Sequence, residues 1–165
     1  MDFCYNEFMK TTLYENLILQ MEGLCQNQKY LITLLSNSSA LLIDTLPDLN
    51  WAGFYLYRDG KLILGPFQGK VACEVIEMGK GVCGTSAIKD ETVLVKDVHQ
   101  FAGHIACDSA SNSEIVIPLH ADGKLFGVLD IDSPLLERFD ETDKVNLEKI
   151  ARILEKAIEK TDYSA

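Results

Sequence analysis

The chain has 165 residues, 47% of them hydrophobic, with fifteen basic against twenty-five acidic side chains and a formal net charge of −10. That length and apolar content suit one domain with a real hydrophobic core and exclude long disorder. The acidic balance excludes nucleic acid or an anionic membrane as the main partner, since both need a basic face, and leaves small molecules open.

The first segment, over about 8–46, reads as two helices. Leu13, Leu17, Met21 and Leu24 recur at helical spacing, followed by Leu31, Leu34, Leu35, Leu41 and Leu42. Pro47 ends the second helix or lies just beyond it. Cys25, beside Leu24, reads as a small packing hydrophobe. From Asn50 the texture changes to short β runs. Strands over 51–58 and 61–65 flank Asp59-Gly60, a strong hairpin signal. Further strands are expected over 73–77 and 92–95, with a glycine-rich turn and short helix over 79–89 between them. Runs over 113–120 and 124–132 form another hairpin around Asp122-Gly123, and Asp140 caps a closing helix with the stripe Leu147, Ile150, Leu154, Ile158.

Helices at both ends with strands between them predict an α+β fold. The antiparallel sheet and its loops span about 50–134, and helices from both chain ends, the last over about 140–160, cover one face. A ligand pocket is expected on the other face, under the long 96–112 connection, and residues 1–165 read as a single domain. No run of about 18 apolar residues predicts a transmembrane helix. The start Met1-Asp2-Phe3-Cys4-Tyr5-Asn6-Glu7 lacks the positive region of a signal peptide. The expected setting is the cytoplasm, where thiols are kept reduced.

Five cysteines, an odd number, do not suit a fully paired secreted framework. Three of them, Cys73, Cys83 and Cys107, fall inside one stretch rich in glycine, serine and aspartate. They form a redox site, a metal site, or inert filler. Zinc would want closely paired ligands, and separations of ten and twenty-four residues, with only His99 and His104 nearby, disfavour it. Cys107 lies in a segment too small and polar for a core strand, and Cys83 lies in Gly79-Lys80-Gly81-Val82-Cys83-Gly84-Thr85, which reads as a turn. Loop thiols in reach of one another can attack a substrate and then be resolved.

Asp130 and Asp132 are two apart on one strand and point to one face, opposite to Leu129 and Ile131. Glu114 joins them or not according to register. A two-residue Asp122-Gly123 turn puts Glu114 opposite Ile131, on the apolar face. A type I turn over Ala121-Asp122-Gly123, with Gly123 left-handed, puts it opposite Asp130 and keeps the apolar face clean, and this register is expected. Three carboxylates near a cysteine raise the thiol's pKa. That conflict eases if a ligand's ammonium neutralises one and another stays protonated, ready to donate its proton to a departing oxygen. Trp51 and Tyr55, four apart, share one strand face and can wall the pocket, or simply pack in the core.

Five collinear motifs carry a resemblance. Asn50-Trp51-Ala52-Gly53-Phe54-Tyr55, Leu64-Gly65-Pro66-Phe67-Gln68-Gly69, Gly81-Val82-Cys83-Gly84-Thr85, Gly103-His104-Ile105-Ala106-Cys107-Asp108-Ser109 and Gly127-Val128-Leu129-Asp130-Ile131-Asp132-Ser133 resemble the free methionine-(R)-sulfoxide reductases, built on a GAF domain. Where that family often carries Phe-Pro-Gly-His, this chain has Phe101-Ala102-Gly103-His104, which removes a loop-stiffening proline but no reactive group.

The resemblance implies an oxidoreductase that reduces free methionine R-sulfoxide without metal or organic cofactor. It implies that the Cys107 thiolate attacks the sulfoxide sulfur and becomes a sulfenic acid. Cys73 then forms a disulfide with it, Cys83 is a third active-site cysteine, and thioredoxin reduces the disulfide. Glu114, Asp130 and Asp132 would surround the substrate's ammonium and sulfoxide ends, Trp51 and Tyr55 its methyl group, and Ile105 and Ala106 belong to the same substrate-binding set. By analogy a homodimer is expected. The alternative is a GAF module that senses a small ligand or redox state without turnover, though a chain of this length leaves no room for an output domain.

Overall fold

The structure is a computed structural model that describes residues 3–103 and 109–162, with side chains from residue 8 onward. Helix α1 (Phe3–Cys25) buries Tyr14, Leu17 and Met21, with Leu13 and Leu24 half-buried on its flanks. It begins five residues before the expected start at Phe8, and the stripe is not yet under way at Phe8 and Met9, which are exposed. Helix α2 (Leu31–Thr45) stops at Leu46, one residue before Pro47. Its buried Ser38 and Ser39 each donate a hydroxyl hydrogen to the carbonyl four residues back, and Ser39 also reaches the Pro66 carbonyl at 3.3 Å.

Strands β1 (Trp51–Arg58) and β2 (Lys61–Gly69) are joined through Asp59 and Gly60, both at positive φ, as a two-residue hairpin turn requires. Strand β2 outlasts the expected 61–65 because the Gly65-Pro66 step is absorbed as an irregularity: Tyr55 pairs with Leu64, and Gly53 with Phe67. Strand β3 (Val75–Glu77) is shorter than expected and leaves Cys73 in the connection before it. Next come α3 (Gly81–Lys89), β4 (Val93–Val95) and a 3₁₀ turn over Val98–Gln100. Then β5 (Ser113–Ala121) and β6 (Lys124–Ser133) form the second hairpin, and α4 (Glu141–Ile158) closes the fold. The six strands make one antiparallel sheet in the order β3-β2-β1-β6-β5-β4.

The β5–β6 hairpin corrects the expected register while keeping its consequence. Asp122 and Gly123 both have positive φ and Ala121 pairs with Lys124, so the turn has two residues and is not the expected type I turn. Between Leu119 and His120 the register then shifts by one, because His120 pairs with Leu125 but Leu119 with Gly127. Glu114 therefore sits opposite Asp132, and Val116 opposite Asp130. Phe126 is the extra residue, and it carries the slip that the turn was expected to supply. The three carboxylates still share a face.

The sheet separates two cores. On one side Phe54, Ile115, Ile117, Leu119, Leu129 and Ile131 pack against α1, α2 and α4, where Leu147, Ile150, Leu154 and Ile158 form the fully buried stripe. Asp140 caps α4 reciprocally with Asp143. The buried Asp143 carboxylate also accepts from Tyr14 at 2.7 Å and pairs with Lys10 at 2.6 Å and Arg138 at 3.2 Å, locking α1 to α4. On the other side Trp51, Tyr55, Val116 and Val128 meet α3 and the 3₁₀ turn through Val82, Cys83, Ala87 and Val98. The chain-end helices thus lie on one face and the smaller core on the other, as expected.

Candidate active site

The functional side chains belong to the second core. Cys83 is not on a turn: left-handed backbone at Gly79 and Gly81 swings the chain into α3, and Cys83 is on the helix's buried side, 3% exposed. Gly84 has to be glycine, since a Cβ there would collide with the Glu77 carbonyl. The helix is thereby seated close enough to β5 and β6 for Cys83 to meet their carboxylates. Its Sγ lies 4.0 Å from Glu114 Oε1, and one ligand atom each from Cys83, Glu114 and Asp130 lie within 4.8 Å of one another.

Glu114 and Asp130 are each 6% exposed, whereas Asp132, across the ladder from Glu114, is half-buried. Burial sets the charge state of this group. Desolvation, with the neighbouring charges of Asp130 and Asp132, pushes Glu114 well above the usual carboxylate range, so it carries a proton and shares it with Asp130. Desolvation also raises Asp130, to about 6, held back by the hydrogen bonds it receives from Cys83 and Glu114. Asp130 Oδ1 is buried with no hydrogen-bond partner. Burial, reinforced by Asp130 and Glu114, pushes the Cys83 thiol well above its ordinary range, so it remains a thiol.

Strand β1 supplies the aromatic wall. Trp51 pairs with Asp132 and Tyr55 with Val128, so both rings stand on the carboxylate face, stacked with centroids 6.0 Å apart. Phe67, quoted in a sequence motif but given no role by it, extends the stack: its ring lies 5.1 Å from Trp51 at 15°. Gly53 permits this, since a Cβ there would run into Phe67 and Trp51. The polar ends of the wall hold the segment that carries Cys73. Trp51 Nε1 donates to the Lys70 carbonyl at 3.1 Å, and the Tyr55 hydroxyl to the Cys73 carbonyl at 3.0 Å.

Cys73 is half-buried against this second core and is disulfide-bonded, while Cys83 and Cys25 are free. Cys25 packs against the first core with its thiol pushed up to about 11 by burial, which fits the filler role expected of it. Cys107, Ile105 and Ala106 lie outside the described residues. Both ends of the loop that carries them are anchored at the site: Val98 N–H donates to the Asn112 carbonyl, Asn50 Nδ2 to Ser111 Oγ, and Asn112 Nδ2 to the Pro134 carbonyl. Val98 and Phe101 pack in the second core. Sequence reasoning gave no role to Asn50, Ser111 or Phe67. Only their positions in or beside the motifs marked them.

This antiparallel six-stranded sheet, with helices packed on both faces, carries the pattern of the GAF domain: that family model matches residues 38–159. The chain belongs to that family. Within it, the chain is 48% identical over 154 residues to the free methionine-R-sulfoxide reductase of Escherichia coli, with 93% of each chain covered. The structure superposes on the free methionine-R-sulfoxide reductase of Neisseria meningitidis in complex with its substrate with a TM-score of 0.89 at 44% identity, covering 92% of this chain and 91% of that one. For the fRMsr of Staphylococcus aureus in complex with substrate the TM-score is 0.84 at 52% identity, covering 88% and 95%. The chain is a member of the free methionine-R-sulfoxide reductase family. Among the described residues no helix is long and apolar enough to cross a membrane.

Proposed function

We propose that this chain reduces free L-methionine (R)-S-oxide to methionine by thiol chemistry, as its relatives are named for doing. The observation that carries the reading is the buried carboxylate face. Asp130, with an oxygen buried and unpartnered, calls for a cationic donor, and Glu114 beside it holds a proton ready to give. A free amino acid supplies the first as its ammonium and needs the second at its sulfoxide oxygen. Trp51, Tyr55 and Phe67 offer the flat apolar wall that a methyl group fits.

In the proposed sequence the Cys107 thiolate attacks the sulfoxide sulfur and the S–O bond breaks. With one proton taken up from Glu114, methionine leaves and the oxygen stays on Cys107 as a sulfenic acid. The Cys73 thiol then displaces that oxygen as water, forming a Cys73–Cys107 disulfide, and a thioredoxin-type dithiol reduces it to restore both thiols. The disulfide state of Cys73, with Cys25 and Cys83 both free, supports this division of labour. Cys83 keeps its proton and helps hold Asp130. Ile105 and Ala106, the two residues before the nucleophile in sequence, are assigned to the substrate-binding set. The reading includes a cytoplasmic setting, which keeps the thiols reduced, and pairing with a second copy, for which the exposed Phe8 and Leu19 of α1 offer apolar surface.

Specificity for the free amino acid follows from the same groups. A peptide-bound sulfoxide brings no ammonium, and its binding would leave a buried carboxylate uncompensated, the situation that gives strong rejection. The test is to incubate the protein with each epimer of free methionine sulfoxide and a dithiol, then quantify methionine. Methionine from the R epimer, lost on Cys107→Ser, is the expected result. No methionine from the R epimer would overturn the function, and full activity in Cys107→Ser would overturn the nucleophile.

A further inference from the structure

We propose that Cys83, Glu114 and Asp130 form a buried binding site for a thiophilic divalent cation of the zinc type, which shuts the pocket by taking the place of the substrate's ammonium. Two independent features point to it. One sulfur and two carboxylate oxygens, drawn from α3, β5 and β6, lie within 4.8 Å of one another, all on residues 6% exposed or less. Asp130, besides, has one carboxylate oxygen that is buried and without a hydrogen-bond partner.

Zinc binds thiolate at about 2.3 Å and carboxylate oxygen at about 2.0–2.2 Å, so ligand atoms around it stand roughly 3.3–3.7 Å apart. The 4.0 Å from Cys83 Sγ to Glu114 Oε1 is close to that spacing, and small side-chain rotations complete the contraction. The donor set also selects the metal. Magnesium and calcium want oxygen cages, whereas one thiolate with two carboxylates suits a borderline-soft ion. On binding, the Cys83 thiol and the Glu114 carboxyl release their protons to solvent and no electrons move. Two positive charges then answer three negative ones where the substrate's ammonium would answer one. Sequence spacing disfavours zinc because it weighs cysteine pairs and histidines. The site comes from carboxylates delivered by the strand register, which cysteine spacing does not report.

Only the competition with substrate rests on the proposed reductase reading; metal binding is tested without turnover. The protein is kept reduced with a phosphine and titrated with Co²⁺ as a spectroscopic stand-in, followed by Zn²⁺. One Co²⁺ per chain with a near-ultraviolet sulfur-to-cobalt charge-transfer band is expected, displaced by Zn²⁺. Cys83→Ser should abolish the band and Asp130→Asn should weaken binding about tenfold or more, the scale of a lost contact in a metal site. The Cys73→Ser/Cys107→Ser double variant should keep the band unchanged. The proposal fails if the native protein shows no band, if the band survives Cys83→Ser, or if it vanishes in the double variant. Unchanged affinity in Asp130→Asn would also overturn it, and that variant decides the matter should Cys83→Ser not fold. Free methionine sulfoxide should raise the Zn²⁺ concentration needed for half-saturation. A protein that binds cobalt in this way yet makes no methionine leaves the metal site standing and removes the reductase reading, and the converse removes the metal site alone.

Discussion

Replacing Asp130 with asparagine should make the protein more stable at neutral pH while disabling it. Asp130 is held in an environment that resists its charge, and burial lifts its pKa from 3.8 to about 6. The folded state therefore binds this proton more tightly than the unfolded chain does. The stability linked to it is fully present below pH 3.8 and is lost as the pH rises through about 6. A difference of that size corresponds to about 3 kcal/mol at pH 8. Asparagine keeps the acceptor oxygen towards Cys83 and Glu114 and removes the charge, although its amide hydrogens need partners that take back part of the gain. At about 2–4 °C per kcal/mol for a domain of this size, a net gain of roughly 2 kcal/mol raises the melting temperature by roughly 4–8 °C. The assay is a set of thermal melts of both proteins from pH 4 to 8 at constant ionic strength. The two curves should meet near pH 4 and separate steadily to pH 8, with Asp130→Asn above. A gap that stays constant across pH, or a variant that melts below the native protein at pH 8, would refute the reasoning.

Glu114→Gln and Asp132→Asn should each lower kcat/KM for free methionine R-sulfoxide by more than tenfold, about 1.4 kcal/mol or more of transition-state stabilisation; unchanged kinetics in both would mean the face is only solvated. Tyr55→Phe removes the hydroxyl that holds the Cys73 carbonyl at 3.0 Å, a bond of about 1 kcal/mol, so closure of the disulfide should slow about fivefold and the sulfenic acid should persist longer under trapping with a cyclic diketone. Asp143→Ala leaves Lys10, Arg138 and the buried Tyr14 hydroxyl without their common partner, and urea unfolding should show a loss of about 3 kcal/mol.

The elements were legible wherever period and punctuation agreed. The stripe from Leu147 to Ile158 with Asp140 as its cap, and the Asp59-Gly60 turn, stand as read because each depends on local chemistry alone. The misreadings have one cause. Cys83 looked like a turn residue because three glycines surround it, yet Gly79 and Gly81 make the turn while Gly84 lets the helix approach the backbone of β3. Local composition cannot tell a glycine needed for its φ from one needed for its missing Cβ. The β5–β6 register shows the same limit. The two-residue turn was readable from Asp122-Gly123, but the slip at Phe126 was not, since a bulge answers to the twist and packing of neighbouring strands.

What rescued the carboxylate face was a constraint stronger than turn chemistry. Ile115, Ile117, Leu129 and Ile131 have to share the side that packs on the helices, and alternation then sends Glu114, Asp130 and Asp132 to the other. Any register that met the first demand met the second. The charge state of those carboxylates could not be read in the same way. It arises from α3 closing over them, which leaves Glu114 protonated, Asp130 with an orphaned oxygen, and the Cys83 thiol that α3 brings in neutral. A face left that short of positive charge is costly to keep folded and well suited to bind a cation. The melting curves of Asp130→Asn and the cobalt titration therefore probe one property from two sides.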